Sequence, residues 1–369
     1  MAEVLFVTWD GGGNVAPAVE IARELRARGS HVRFLGQERQ REFFLRAGFG
    51  FTAYSKPGSW TASDRRGALT NAVGFLELTT GRSLGRDLLA EVEAVPTDIV
   101  VVDCLLFGAL DAASRTHIPH AVLVHSLYEA IDAKIAGGAP GIVATLRGLR
   151  PKKLWADADL VVVATLEELD RPPSPSWPNL RYTGPALQSV PATVARPTST
   201  KVLVSLSTTY LPGQAEVLQT VMDALADLPL SVVVTAGPAV DPSSLHAPAN
   251  ATVHAYLPHS DVMPEASLVI GHGGHSTTML ALAHDLPVLV LPINLVFDQV
   301  LVGESLQRAG AGLTLACRST AGEIRGAVER MLADDSFAIE AARLGAAIRE
   351  AHGTQAAADL LLAPVPATS

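Results

Sequence analysis

The sequence predicts an α/β protein built of two Rossmann-like domains with parallel sheets, and three observations carry that reading. Apolar runs of strand length alternate with segments of helical periodicity. The alternation stops in a stretch rich in Pro, Ser and Thr, then starts again. Within 369 residues, each half is long enough to bury a core of its own.

The run "VLFVTW" reads as the first strand, "APAVEIARELRARG" as a helix closed by Gly29, and "HVRFLG" as the second strand, together a βαβ unit. "DIVVVDC" and "HAVLVHS" are buried-strand candidates on either side of the helix-length "LLFGALDAASRTHI", and "DLVVVAT" adds another strand. Strands apolar throughout belong to a parallel sheet covered on both faces. Between Arg171 and Thr200, "RPPSPSWP" and "PALQSVPATVARPTST" hold no periodic apolar face, which marks a linker. After it come strand "KVLVSLS", helix "GQAEVLQTVMDALADL", strands "LSVVVTAG", "TVHAYL" and "LVIGH", helix "STTMLALAHD" and strand "PVLVLP". The closing stretch from "EIRGAVERML" reads as helical with a break near "ADDS". The expected boundaries are 1–187 for the first domain, 188–200 for the linker, 201–345 for the second domain, and 346–369 for a C-terminal helix and tail that packs back on the first. Open α/β sheets bind ligands outside the carboxyl ends of their strands, so two such edges predict an interdomain site.

Composition narrows the function. Hydrophobic residues make up 48% of the chain and charged ones 18%, a globular balance. A net charge of -9 without a basic cluster argues against a nucleic-acid partner. Cys104 and Cys317 form neither a disulfide framework nor a metal spacing. The chain opens directly into "EVLFVTW" with no leader, and no run reaches membrane-spanning length, so a soluble cytoplasmic protein without membrane insertion is expected. A homodimer is compatible with this composition.

Two turns stand out. "TWDGGGNVAP" sits between the first strand and the first helix, but "GGGNVAP" lacks the G-x-G-x-x-G spacing of a dinucleotide fingerprint and reads as a tight bend that shapes a site. In "LVIGHGGHSTTMLALAHDLPVLVLP" a strand ends at Ile270 and a helix begins near Ser276. The unpaired N–H groups and positive dipole of that helix start suit a pyrophosphate, with Gly273, Gly274, Ser276 and Thr277 around it and His272 as an added donor. An ordinary helix cap would use the same Ser and Thr. His272 and His275 have no carboxylate or cysteine beside them in sequence, so no metal is expected.

The segment "YLPHSDVMPEASLVIGHGGHSTTMLALAHDLPVLVLP", followed by "DQ", resembles the donor-binding region of inverting nucleotide-sugar glycosyltransferases of the GT-B fold, especially those of bacterial antibiotics and macrolides. The matching residues are His272, Gly273, Gly274, Ser276, Thr277, Pro287, Asp298 and Gln299. Asp285 departs from the family, which usually has glycine there, and the loop "PINLVF" looks longer than usual. The resemblance implies that His272 with the Gly274 and Thr277 region holds the diphosphate, and that Asp298 and Gln299 hydrogen-bond sugar hydroxyls. It further implies that Ser205, Ser207 and Thr208 reach the phosphates from the other side, and that Leu257 and Pro258 line the nucleobase pocket. The implied donor is a UDP- or dTDP-sugar, with no metal or other cofactor.

In that family the first strand is followed by Gly-His-x-x-Pro, whose His is the general base. Counting back three from Pro17 gives Asn14. An amide oxygen is too weakly basic to take a proton, so Asn14 can only orient groups. Asp103, which matches the carboxylate that orients the family His, comes first as a replacement base, followed by Asp10 in the same turn and His125 after a later strand. An acidic acceptor such as a phenol or enol would need no strong base. By the same resemblance, the N-terminal half supplies the pocket for a hydrophobic or aromatic aglycone, with Gly12 and Gly13 shaping it and Trp60, Phe75 and Tyr128 as candidate contacts; core packing explains those aromatics equally well. Two other readings stand beside the glycosyltransferase: a non-catalytic sugar-nucleotide-binding helper, suggested by Asn14, and a nucleotide-sugar epimerase on the same architecture.

Overall fold

The computed structural model describes residues 1–364 other than 57–59, 63, 65, 66, 195–198, 208, 295 and 296. The chain divides into two compact units, Met1–Ala186 with His352–Ser369, and Leu187–Ala351.

The first unit carries strands β1 (Glu3–Val7), β2 (His31–Gly36), β3 (Gly50–Ala53), β4 (Ile99–Asp103), β5 (His120–Val124), β6 (Leu160–Val163) and β7 (Leu180–Tyr182), all parallel, in the order β3-β2-β1-β4-β5-β6-β7. Its helices are α1 (Val15–Ala27), α2 (Arg41–Arg46), α3 (Ala68–Thr80), α4 (Ser83–Ala94), α5 (Phe107–Ala113), α6 (Tyr128–Ile131), α7 (Ala139–Leu146) and α8 (Pro151–Ala156). The second unit carries β8 (Lys201–Ser205), β9 (Ser231–Thr235), β10 (Ala251–His254), β11 (Leu268–Gly271), β12 (Val288–Val290) and β13 (Gly312–Thr314), again all parallel, ordered β10-β9-β8-β11-β12-β13. Between and after these strands lie α9 (Gln214–Leu225), α10 (His259–Val262), α11 (His275–Ala283), α12 (Gln299–Arg308), α13 (Ala321–Ala333) and α14 (Ser336–Ala351), and the chain ends in α15 (Gly353–Leu362).

The apolar runs become strands because both faces of each sheet are covered, and β4 and β5 are buried at every position. In α1, Val19, Ile21, Ala22 and Leu25 face the core with Val4, Phe6 and Phe34. Its end is a Schellman turn, in which Ser30 N–H donates to Leu25 O at 3.0 Å and Gly29 N–H to Arg26 O at 2.9 Å. The second core sits under α9 and α13 and is built on Val202, Val204, Leu218, Val232, Ile270 and Val328.

The boundary expected at 345/346 falls inside α14. That helix runs unbroken to Ala351 and packs on α11 within the second unit. The chain returns to the first unit only at His352, whose αL backbone (φ 47°) ends α14. There α15 packs on α1, with Ala357, Ala358 and Leu361 buried in the first core and Asp359 paired with Arg28. No helix of the described residues is long and apolar enough to cross a membrane.

Both strand orders reverse direction once, at β1/β4 and at β8/β11. These are the topological switch points, where an open α/β sheet leaves a crevice at its carboxyl edge.

Candidate active site

At the first switch point, register sets Val7 beside Val102 and Asp103 beside Leu123, so β1, β4 and β5 end as neighbours. The turn leaving β1 is forced to be glycine: a Cβ at Gly11 would lie 2.4 Å from the Trp9 ring, and Gly12 has φ 82°. Gly13 is exposed. Asn14, 3% exposed, is fully engaged. Its Nδ2 donates to Trp9 O (3.1 Å) and Asp103 Oδ2 (3.0 Å), and its Oδ1 accepts from Gly11 N–H at 3.1 Å.

Asp103 is 5% exposed. Its Oδ1 accepts from Leu105 N–H at 3.0 Å, and its Oδ2 faces His125 Nδ1 at 3.2 Å as well as Asn14. Burial works to raise its pKa, but His125 and these hydrogen bonds outweigh it and hold the carboxyl below its usual value. Burial likewise opposes charge on His125, and Asp103, with Cys104, overcomes it and lifts the imidazole well above its ordinary value. Cys104 Sγ lies 3.8 Å from the same Nδ1, and burial pushes its thiol up. Asp103, Cys104 and His125 thus bring three ligand-type atoms within 4.8 Å, the one such group among the described residues. Both carboxylate oxygens take hydrogen bonds from within the protein, which makes Asp103 and His125 a close pair with Cys104 as neighbour. Asp10 stands apart. Its Oδ2 meets Arg39 Nε at 3.2 Å, and burial raises its pKa against that cation.

Trp60 and Phe75, 7% and 8% exposed, pack on Trp9 at ring separations of 5.6 and 6.3 Å. Tyr128, 2% exposed, packs on Trp155 and Trp177. These rings form the walls behind the β1 and β5 exits and turn no open face to solvent. The indole Nε1 of Trp9 is buried without a partner among the described residues.

At the second switch point Gly271 lies beside Ser205. Ser205 Oγ is 2.9 Å from His259 Nε2, and burial lowers the His259 pKa, which keeps that ring neutral. Ser207 Oγ pairs with Thr209 Oγ1 at 2.7 Å. Thr208 lies outside the described residues. Across the switch point the β11–α11 turn is fixed at Gly273, with φ 85° and a Cβ position 2.5 Å from Gln299 O. Gly274 is the N-cap of α11, and Ser276 and Thr277 stand in the first turn, half-buried. Beside them is His272, whose Nδ1 is buried without a partner among the described residues; burial lowers its pKa to about 4. At neutral pH it can donate a hydrogen bond without carrying charge.

Asp298 caps α12. Gln299 is 5% exposed, and its Oε1 accepts from Ile293 and Asn294 N–H at 2.9 and 2.8 Å, so the side chain braces the loop after β12. Leu257 is half-buried and Pro258 exposed, next to Tyr256, which is 73% exposed. Tyr256 lies in the loop after β10, and an isolated Tyr of this kind gives no signal in the sequence. Sequence reasoning ranked Asp103 above His125, although the ends of adjacent strands bring the two into one pair.

Two parallel sheets, each with one reversal of strand order, define the GT-B fold class, and comparisons with known proteins agree. Residues 219–359 match the family described as "Erythromycin biosynthesis protein CIII-like, C-terminal domain". The chain is 25% identical to 4'-demethylrebeccamycin synthase of Lentzea aerocolonigenes over 93% of this chain and 94% of that protein. It is 36% identical to a PGL/p-HBAD biosynthesis glycosyltransferase of Mycobacterium tuberculosis over 53% of this chain and 45% of that one. Three solved structures share the fold. The calicheamicin glycosyltransferase CalG4 has a TM-score of 0.79, 22% identity, and 97% of each chain covered. Glycosyltransferase VinC in complex with dTDP has a TM-score of 0.73, 18% identity, and 97% and 98% covered. Spinosyn rhamnosyltransferase SpnG with the spinosyn aglycone has a TM-score of 0.70, 20% identity, and 97% and 98% covered. The fold is that of GT-B glycosyltransferases, and enzymes of antibiotic biosynthesis are among the chain's homologues and structural neighbours.

Proposed function

We propose that the chain moves a sugar, in particular a deoxysugar, from a UDP or dTDP donor to a hydroxyl of a small natural-product aglycone, with inversion and without a metal. The observation that carries the donor half is the β11–α11 turn, where Gly273 and Gly274 open a helix N-terminus at a switch point beside a neutral His272. The N–H groups that a helix N-terminus presents, together with its dipole, favour a diphosphate, and the same donors stabilise its charge as it leaves. Structural neighbours that hold dTDP and an aglycone support the pairing of substrates. The acceptor oxygen attacks C1 from the face opposite the diphosphate, which inverts the anomeric centre.

Asn14, with its Nδ2 hydrogens both spent inside the protein, favours one rival reading, a binding protein that assists a partner enzyme. The test is incubation with UDP- and dTDP-sugars and phenolic or polyketide acceptors, read by mass spectrometry. A hexose-type mass gain is expected, and it should persist in EDTA. Donor binding without mass gain would favour the helper, isomerised donor the epimerase, and loss in EDTA restored by Mn²⁺ would overturn the metal-free mechanism. His272→Ala should weaken donor affinity by about tenfold, the value of one hydrogen bond near 1.4 kcal/mol.

A further inference from the structure

In the first unit Asp103 and Asn14 are buried and already engaged within the protein. Each Asp103 oxygen already accepts, Oδ1 from Leu105 and Oδ2 from Asn14 and His125. Asn14 Nδ2 has given both hydrogens away. His125 is different. Its Nδ1 faces Asp103 at 3.2 Å, its side chain is 13% exposed, and its Nε2 has no protein partner among the described residues. An Nδ1–H donated to a buried carboxylate fixes the tautomer that leaves a lone pair on Nε2.

We propose that His125 is the general base of this glycosyltransferase, taking the acceptor proton on Nε2, with Asp103 and Asn14 as positioning residues. The inference rests on the transfer reaction proposed above. In place of an imidazole at position 14, the pair is assembled from the exit of β5, and the amide at position 14 braces the carboxylate. In the step, the acceptor O–H bond breaks and its proton goes to Nε2. The O–H electron pair forms the bond to C1, while the C1–O bond to the diphosphate breaks and its pair leaves on the phosphate oxygen. The imidazolium, stabilised by Asp103, then releases its proton to water.

The titratable groups facing the ring are Asp103 and Cys104, both at the exit of β4; Asn14 from the N-cap of α1 and Trp155 of α8, which donates to Cys104 O at 3.0 Å, add no charge. Because Asp103 raises the imidazole pKa, the basic form gains as pH rises through that elevated value, and kcat/KM should rise with it. His125→Gln should lower kcat by about 10²- to 10⁴-fold on an alkyl-alcohol acceptor, with donor KM unchanged, and remove the pH rise. A nitrophenol acceptor, already ionised, should recover most of that loss. Asp103→Asn should shift the midpoint down towards ordinary imidazole, a change that a purely structural role would not produce. If His125→Gln keeps the wild-type rate and profile, or if Asp10→Asn alone abolishes turnover, His125 is not the base. Should the Gln variant fail to fold, Asp103→Asn decides: a lowered midpoint supports the assignment, and an unmoved one overturns it. Wild-type protein that transfers to no acceptor overturns the parent reaction and this assignment together, whereas transfer by wild type and His125→Gln alike overturns the assignment alone.

Discussion

Single residues explain where this chain departs from the family it resembles. Asp285 occupies the family's glycine position, and the structure shows why glycine is usual there, because its φ is 60°. Here the left-handed residue is held by Arg349, whose Nη1 donates to Asp285 Oδ1 at 2.7 Å and to Ala283 O at 2.8 Å. Asp285→Gly would remove roughly 1 kcal/mol of αL strain and lose an ion pair worth roughly 0.5 kcal/mol, so its melting midpoint should stay near wild type. Asp285→Ala keeps the strain and loses the pair, and should be the less stable variant by roughly 1 kcal/mol in denaturant melts. Equal stability of the two would show that the left-handed backbone carries no cost here. The substitution at position 14 was visible in the sequence, but its consequence was not. The three hydrogen bonds linking Asn14, Asp103, Gly11 and Leu105 join residues up to 89 positions apart, and spacing along the chain does not encode them.

At the scale of elements, legibility followed burial and length. The runs "IVVVD" and "HAVLV" announce strands because both faces are buried and β-branched residues fill them. The edge strands β3 and β7 and the three-residue β13, written GFTA, LRY and GLT, carry too little apolar signal to be read alone. Helix α3 was hidden in a segment that looks like a mixed loop, since Gly74 and the three threonines Thr70, Thr79 and Thr80 blur its periodicity. Helix starts were easier where capping chemistry is explicit. Before α13, Thr320 Oγ1 accepts from Glu323 N–H at 3.3 Å, and Glu323 Oε2 accepts from Thr320 N–H at 2.7 Å. Thr320→Ala should therefore cost about 1 kcal/mol in equilibrium unfolding while leaving donor affinity intact. An unchanged midpoint would mean that this helix start is held by the core beneath it.

The whole molecule repeats one plan twice, a parallel sheet with a single reversal of strand order, and each candidate group of residues lies at a reversal. That much follows from the alternation of elements, which is why the turns after β1 and β11 could be singled out from the sequence. The division of labour at the C-terminus did not follow, because α14 and α15 have similar composition and only an αL residue, His352, separates their destinations. A chain ending after Ala351 lacks Ala357, Ala358 and Leu361 from the first core. Losing Leu361 alone should cost roughly 1.5–3 kcal/mol, so this truncation should unfold its first unit well before the full chain does, as read by hydrogen exchange in β1 and α1. Protection equal to that of the full chain would show α15 to be dispensable. The same arrangement sets an order of events during synthesis. The apolar stripe of α1 that α15 covers leaves the ribosome well before its cover does, since Arg28 and Asp359 lie 331 residues apart. At translation rates of about 5–20 residues per second, the nascent first half waits tens of seconds with that stripe bare, an interval in which a holdase chaperone has its opportunity.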